Sequence, residues 1–202
     1  MILYIIYYYV EFFMSELKKM LKGEWYKATD KELLELRNRA RALVEEYNTL
    51  SVNDFKSHLK ILRKLFKKSH SKTFIEPPLR CDYGFNVSVG KRFYANYNLV
   101  LLDSAEIKIG DNVMFGPNVS VYTVNHPLYY EDRNKYLEQA KPVVIEDNVW
   151  LGGNVVILGG VTIGKNSVIG AGSIVTKDIP ANSLAFGNPC KVVRKITSKD
   201  RI

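Results

Sequence analysis

A six-residue repeat in the second half of the chain constrains its fold more than any other sequence feature. Every sixth residue from Ile145 to Val175 is aliphatic, and every residue two positions earlier is small or aliphatic. The two rows are Ile145, Leu151, Ile157, Ile163, Ile169, Val175 and Val143, Val149, Val155, Val161, Ser167, Ser173. The same rows occur in residues 107–121. A fixed short period of this kind is the signature of a solenoid.

Each repeat is expected to form a short flat strand followed by a tight turn, with three repeats in one triangular coil. The aliphatic residue of each repeat then points inward and stacks on its counterpart in the next coil. A Gly or Asn near each corner, as in residues 109–112 and 163–166, is expected to supply a positive φ. The predicted fold is mainly β, a left-handed parallel β-helix over residues 75–202 with a C-terminal extension.

Residues 14–74 have helical periodicity and predict an N-terminal α-helical cap that covers the open end of the β-helix. Two consecutive prolines at 77–78 break the helical register and mark the boundary. The candidate helix caps are Thr29 with Glu32, which have the form of a capping box, and Ser51 or Asn53 for the third helix.

The amino-acid composition and the distribution of charge restrict the expected compartment and partners. Two cysteines are too few for a disulfide scaffold, so a reducing compartment, the cytoplasm, is expected. The net charge of +8 is concentrated in the cap, where basic residues alternate with apolar ones at helical spacing. This pattern indicates the solvated face of an amphipathic helix, and His58 and His70 are interpreted as solvated with it. The apolar residues 1–13 are too short to span a bilayer and form an extension of uncertain status, so no membrane is expected as a partner.

The period is interrupted once, at about residues 122–142, by a polar and charged segment that cannot fit inside a coil. Long loops inserted into regular solenoids usually carry function. His126, the only histidine outside the cap, lies in this segment. Because imidazole titrates near neutral pH, His126 is the candidate general base.

Several runs of this sequence resemble the hexapeptide-repeat sugar O-acetyltransferases, and the maltose and galactoside branch most closely. They are CDYG (81–84), FYANYN (93–98), IGDNVMFGPNV (109–119), NHP (125–127), KPVVIEDNVWLGGNVVILGGVTIG (141–164), VIGAGSIVTKDIP (168–180) and GNPCKVVR (187–194). The resemblance covers roughly residues 15–196 and includes the helical cap.

The resemblance implies a homotrimer that binds acetyl-CoA, the co-substrate, in the groove between adjacent β-helices. It makes His126 the base that removes a proton from a sugar hydroxyl. The positions that match coenzyme contacts are Gly153, Ala171, Thr176, Lys177, Lys191 and Arg194.

For the acceptor sugar, the resemblance points to Asp82 and Asn96, with Asp103 close by. Glu138 is added as a residue of the acceptor site that is expected to orient His126. The sequence departs from the galactoside enzyme where Asp82 replaces a serine, Ser104 an aspartate and Ala28 another aspartate. CDYG with Asp103 resembles the maltose branch instead, so a maltose- or glucose-like acceptor is expected.

Four other interpretations are weighed. A γ-class carbonic anhydrase needs three imidazoles around one zinc, and the β-helix has one, so no metal is expected. A non-catalytic hexapeptide scaffold and an acetyltransferase with a non-sugar acceptor remain alternatives. Binding of nucleic acid through residues 60–72 lacks an aromatic platform beyond Phe66 and Phe74, so no nucleic-acid partner is expected.

Overall fold

The computed structural model describes residues 14–202, and the prediction for residues 1–13 lies outside the described residues. The described part begins with a cap of three helices. They are α1 (Glu16–Lys22), α2 (Lys31–Thr49) and α3 (Phe55–Leu65), and the two-residue strand β1 (Tyr26–Lys27) lies between the first two. No helix within residues 14–202 is long and apolar enough to cross a membrane.

Two of the helix caps differ from the sequence prediction by one residue. The Asp30 carboxylate, not Thr29, accepts hydrogen bonds from the backbone of Glu32 and Leu33 at 3.0 and 3.4 Å. Asp54, not Ser51 or Asn53, caps α3 by accepting from Ser57 N–H at 3.1 Å. In both places an ionised carboxylate follows the predicted cap, and its charge also stabilises the positive end of the helix dipole.

The remaining chain forms a parallel β-helix, and the predicted fold class is confirmed. Its strands build three flat sheets, one on each side of the coil. The five-stranded sheet contains β3 (Leu79–Cys81), β6 (Leu99–Leu102), β9 (Ser120–Tyr122), β14 (Val156–Leu158) and β17 (Ile174–Val175). The four-stranded sheet contains β4 (Val87–Val89), β7 (Ile107–Ile109), β12 (Val143–Ile145) and β15 (Thr162–Ile163). The seven-stranded sheet contains β2 (Phe74–Ile75), β5 (Tyr94–Ala95), β8 (Met114–Phe115), β13 (Trp150–Leu151), β16 (Val168–Ile169), β18 (Ser183–Gly187) and β19 (Cys190–Lys195).

The six-residue rows form the interior of this coil. Every member of the row from Ile145 to Val175 is fully buried, and so are Ser167 and Ser173 in the second row. In-register pairing stacks each residue on its counterpart: Ile109 lies between Val89 and Ile145 in the four-stranded sheet. The aliphatic residues that recur every six positions in the sequence are therefore the residues that stack in the hydrophobic core.

Asparagine and glycine have different roles at the corners of the coil. Asparagines hold the positive φ, and their side chains form a hydrogen-bonded ladder from coil to coil, with Asn112, Asn148 and Asn166 each donating to the next asparagine at 2.9–3.0 Å. Gly110 and Gly164 do not have the positive φ expected of them. They are required for another reason, because an added Cβ would overlap the neighbouring coil at Asp147 or Ala181.

The cap packs on the first coil through α2 and α3. The Asn48 side chain pairs with both backbone groups of Leu79 at 2.8 and 2.9 Å, and Tyr47 donates to the Ile75 carbonyl at 2.5 Å. The prediction that His58 is solvated was wrong, since it is 1% exposed and its ring lies edge-on to Tyr47 at 4.5 Å. His58 faces the β-helix because it shares the apolar side of α3 with Ile61 and Leu65. The basic residues of α3 lie on the opposite, exposed side.

The chain leaves the coil after β9 and rejoins it at β12. The intervening segment contains β10 (Val124–Asn125), the short helix α4 (Tyr130–Arg133) and β11 (Leu137–Ala140). β11 pairs antiparallel with β10 on one side and with β1 of the cap on the other. This small three-stranded sheet joins the cap to the segment that carries His126.

Candidate active site

Two corners of the β-helix carry most of the predicted site residues. The first corner connects the seven-stranded to the five-stranded sheet and holds Asn96, Gly153 and Ala171. The loop corner follows the five-stranded sheet and holds Asp82, Asp103, the inserted segment with His126, and Thr176 with Lys177. Within one chain the structure therefore brings His126, Asp82 and Asp103 to one corner but puts Asn96 at another.

His126 is exposed, and its ring is held by the inserted segment itself. Nδ1 lies 3.3 Å from the Leu137 carbonyl oxygen on the neighbouring strand. Because a carbonyl can only accept, Nδ1 must carry the proton, and Nε2 is left with a lone pair. The expectation that Glu138 orients His126 was wrong: the ring's partner is the backbone of Leu137. A histidine in this tautomer can accept a proton at Nε2.

The loop corner also holds a cluster of buried polar side chains around Asp103. One oxygen of the fully buried Asp103 carboxyl accepts from the backbone of Asp82 and Tyr83 at 3.1 and 2.8 Å. The other oxygen, Oδ2, has no hydrogen-bond partner among residues 14–202, and neither has the buried hydroxyl of Ser104. Burial raises the pKa of Asp103 to about 7. The two oxygens are therefore unsatisfied buried polar atoms at this corner.

Arg37 of helix α2 connects this cluster to the cap and was missed by the sequence analysis. Its guanidinium donates to the Tyr83 hydroxyl at 2.7 Å and lies 3.9 Å from the Asp82 carboxylate. Burial raises the pKa of Asp82, and the Arg37 charge partly opposes that rise. The sequence does not indicate that Arg37 belongs to the site, because an arginine in a helix usually lies on its solvated face.

Glu138 lies in the same cluster. Its Oε2 accepts a hydrogen bond of 2.5 Å from the hydroxyl of Tyr26, a fully buried residue of strand β1. Burial is the main reason that the pKa of Tyr26 is raised, so the phenol keeps its proton and remains the donor. The negative charge of Glu138 also raises the pKa of Asp82. The cap thus fixes the position of one acidic side chain of the site.

At the first corner the backbones of successive coils are closely packed. A Cβ on Gly116 would come within 2.6 Å of the Gly153 nitrogen, and one on Gly152 within 2.6 Å of the Ala171 nitrogen. The N–H of Gly153 has no hydrogen-bond partner within residues 14–202 and can donate to a ligand.

The predicted cations differ in their availability. Lys177 and Lys191 are exposed. Arg194 on β19 is already engaged, because its guanidinium donates to both carboxylate oxygens of Asp200 at 2.9 and 2.7 Å. This pairing lowers the pKa of Asp200 to about 2. Arg194 must exchange Asp200 for a phosphate if it is to bind one. No group of residues suited to hold a metal ion occurs within residues 14–202.

The raised pKa of Asp103 makes the stability of the protein depend on pH. The folded state keeps a proton that the unfolded chain releases, so the free energy of unfolding should fall as pH rises from about 4 to about 7 and stay low above that range. Asp103→Asn cannot ionise, and its melting temperature should fall less than that of the wild type between about pH 5 and about pH 8. Thermal unfolding of both proteins at the two pH values measures this. An equal fall in melting temperature for the wild type and the variant would contradict the raised pKa of Asp103.

Comparison with known proteins agrees with this geometry. The family model described as the maltose acetyltransferase hexapeptide capping motif matches residues 19–70, and the bacterial transferase hexapeptide model (six repeats) matches residues 142–177. The galactoside O-acetyltransferase of Lactococcus lactis is 44% identical over 188 residues, which cover 93% of this chain and 91% of that protein.

Two solved structures have the same fold over almost their whole length. A maltose O-acetyltransferase from Clostridium difficile is 47% identical with a TM-score of 0.90, over 92% of this chain and 99% of that one. A hexapeptide-repeat acetyltransferase from Vibrio cholerae, complexed with acetyl coenzyme A, is 41% identical with a TM-score of 0.84, over 92% and 100% of the two chains. With the capped β-helix and the inserted histidine segment, these similarities show that the chain belongs to the hexapeptide-repeat acetyltransferases of the galactoside and maltose O-acetyltransferase type.

Proposed function

We propose that this protein transfers the acetyl group of acetyl-CoA to a hydroxyl of a small sugar of the maltose or glucose type, with His126 as the general base. One observation carries the proposal: the Leu137 carbonyl engages Nδ1 of His126 and leaves Nε2 of the neutral ring able to accept a proton, at the corner that also holds the buried carboxyl groups.

In the proposed reaction, Nε2 of His126 takes the proton of the acceptor hydroxyl while its oxygen attacks the thioester carbonyl carbon. The tetrahedral intermediate carries a negative oxygen that needs a fixed donor, and the unpaired N–H of Gly153 is the candidate. The carbon–sulfur bond then breaks. The thiolate of CoA takes the proton back from the imidazolium, so the base is regenerated and no metal is needed.

Acetyl-CoA is the proposed donor because the Vibrio cholerae relative was solved with it bound. The pantetheine arm would run along the first corner past Gly153 and Ala171, where the N–H of Gly153 has no partner within residues 14–202. The candidate contacts of its phosphates are Thr176, Lys177, Lys191 and Arg194. The lysines and the arginine would make charge-assisted hydrogen bonds to phosphate oxygens, and the Thr176 hydroxyl would donate a neutral one.

The acceptor sugar is assigned to the buried polar cluster. Asp82, Asp103 and Glu138 offer carboxyl oxygens to hydroxyl donors, and Oδ2 of Asp103 has no partner among residues 14–202. Asn96 completes the proposed set from the first corner. We keep the cytoplasm as the proposed compartment, which is supported by the free thiols of Cys81 and Cys190.

A homotrimer is part of the proposal because the proposed sites are divided between two corners. Gly153 and Asn96 lie at the first corner, whereas His126 and Lys177 lie at the loop corner across the five-stranded sheet. A neighbouring copy can set its first corner against the loop corner and close the groove. Sedimentation equilibrium at micromolar concentration should give three times the mass of one chain. The mass of a single chain would contradict this arrangement.

The proposed function is tested by initial rates of thiol release from acetyl-CoA with glucose, maltose, galactosides and amino sugars. Faster release with maltose or glucose than without acceptor is the expected result. Equal release with and without every sugar, together with saturable binding of acetyl-CoA, would favour a non-sugar acceptor. No binding of acetyl-CoA at all would favour the non-catalytic scaffold.

A further inference from the structure

A cleft of about 290 Å³ lies between helix α2 and the edge of the five-stranded sheet, and the proposed acetyl transfer does not use it. Helix α2 contributes Arg41, Val44 and Glu45 to this cleft, and the sheet edge contributes Arg80 and Leu102. Arg80 points outward because it is the middle residue of β3, between the buried Leu79 and Cys81.

Asp82 links the cleft to the acceptor cluster. Its carboxylate lines the cleft, and it also lies 3.9 Å from Arg37 inside the cluster. The charges of Arg37, Glu138 and Arg41 all act on the pKa of Asp82, so groups on both sides of this residue are close to it. A molecule that places one part in the cluster can therefore extend past Asp82 into the cleft.

The lining of the cleft has the chemistry that a sugar ring requires. Arg41 and Arg80 are exposed, and neither side chain has a hydrogen bond or ion pair among residues 14–202. Their guanidinium groups offer donors, Glu45 offers an acceptor, and the partly exposed Leu102 offers apolar surface for the face of a ring. The two positive side chains of the cleft, Arg41 and Arg80, are balanced by two acidic ones, Glu45 and Asp82. This balance favours a neutral ligand over an anionic one.

We propose that this cleft is a second sugar subsite, which binds the ring next to the one that is acetylated and makes the enzyme prefer a disaccharide to a monosaccharide. The proposal rests on the proposed function, since it assumes that the first ring occupies the cluster around Asp103. Arg80 and Arg41 then determine specificity and take no part in the chemistry at His126.

The test compares kcat/KM for maltose and glucose in the wild type and in the variants Arg80→Ala and Arg41→Ala. Each variant should lose about tenfold in kcat/KM for maltose, which corresponds to about 1.4 kcal/mol of lost binding in the transition state. Glucose, which does not reach the cleft, should keep its kcat/KM within about twofold in both variants. Lys108→Ala, on the four-stranded sheet, is the matched control and should change neither substrate.

The outcomes separate this proposal from the one on which it rests. If the wild type acetylates both sugars and the arginine variants lower maltose and glucose equally, or neither, the second subsite is wrong while the proposed function stands. If the wild type acetylates neither sugar, the proposed function itself fails, and the subsite fails with it.

Discussion

Replacing His126 with alanine should lower kcat by about 10²- to 10⁴-fold, because a positioned general base contributes that much to proton transfer. Binding of acetyl-CoA should stay close to wild type, since the proposed coenzyme contacts lie on other coils. Initial rates and a coenzyme titration measure both effects.

Lys177→Ala is the matched control for this experiment. The exposed ammonium group is a proposed phosphate contact, so its loss should raise the KM for acetyl-CoA more than it lowers kcat. The contrast between the two variants separates a role in chemistry from a role in binding. If His126→Ala kept near-normal turnover with the best acceptor, the base would have to be another group, and Glu138 would be the next candidate.

Ile107→Ala should destabilise the fold by about 2–5 kcal/mol, the usual range for removing a large aliphatic side chain from a packed core. Ile107 is fully buried in β7, at the centre of the four-stranded sheet, between Val87 and Val143 of the neighbouring coils. Denaturant unfolding monitored by circular dichroism measures the loss.

Lys108, the next residue on the same strand, points outward and is exposed. Lys108→Ala should change the free energy of unfolding by no more than about 0.5 kcal/mol. Similar losses for the two neighbours would contradict the assignment of inward and outward positions along the coil.

Much of the fold could be predicted from the sequence because its contacts are periodic. Each inward residue of a coil packs on its counterpart in the next coil. The six-residue spacing of the row from Ile145 to Val175 therefore indicates directly which residues pack together. The cap lacks such a period. His58 was misassigned because its neighbours in sequence are charged, whereas its burial depends on Tyr47, a residue of another helix.

The site was predictable only in part. His126 was predicted because it lies at the one interruption of the period, the family resemblance supplied Asp82 with Asp103 close by, and Glu138 was added from its place in the inserted segment. The pairing of Tyr26 with Glu138 joins residues 112 positions apart, and no local pattern indicates it. The hydrogen-bond partner of His126 is the backbone carbonyl of Leu137. Every residue has such a carbonyl, so the sequence cannot indicate which one the ring contacts.

The central claim is that an acetyl group moves from the sulfur of acetyl-CoA to an oxygen of a sugar through His126. Its most direct test is mass spectrometry of the sugar after incubation with acetyl-CoA, with free CoA thiol counted in the same sample. The account predicts one acetyl ester on the sugar for each thiol released by the wild type, and almost none of either with His126→Ala. Thiol release without an acetylated sugar, or equal ester formation by the variant, would contradict it.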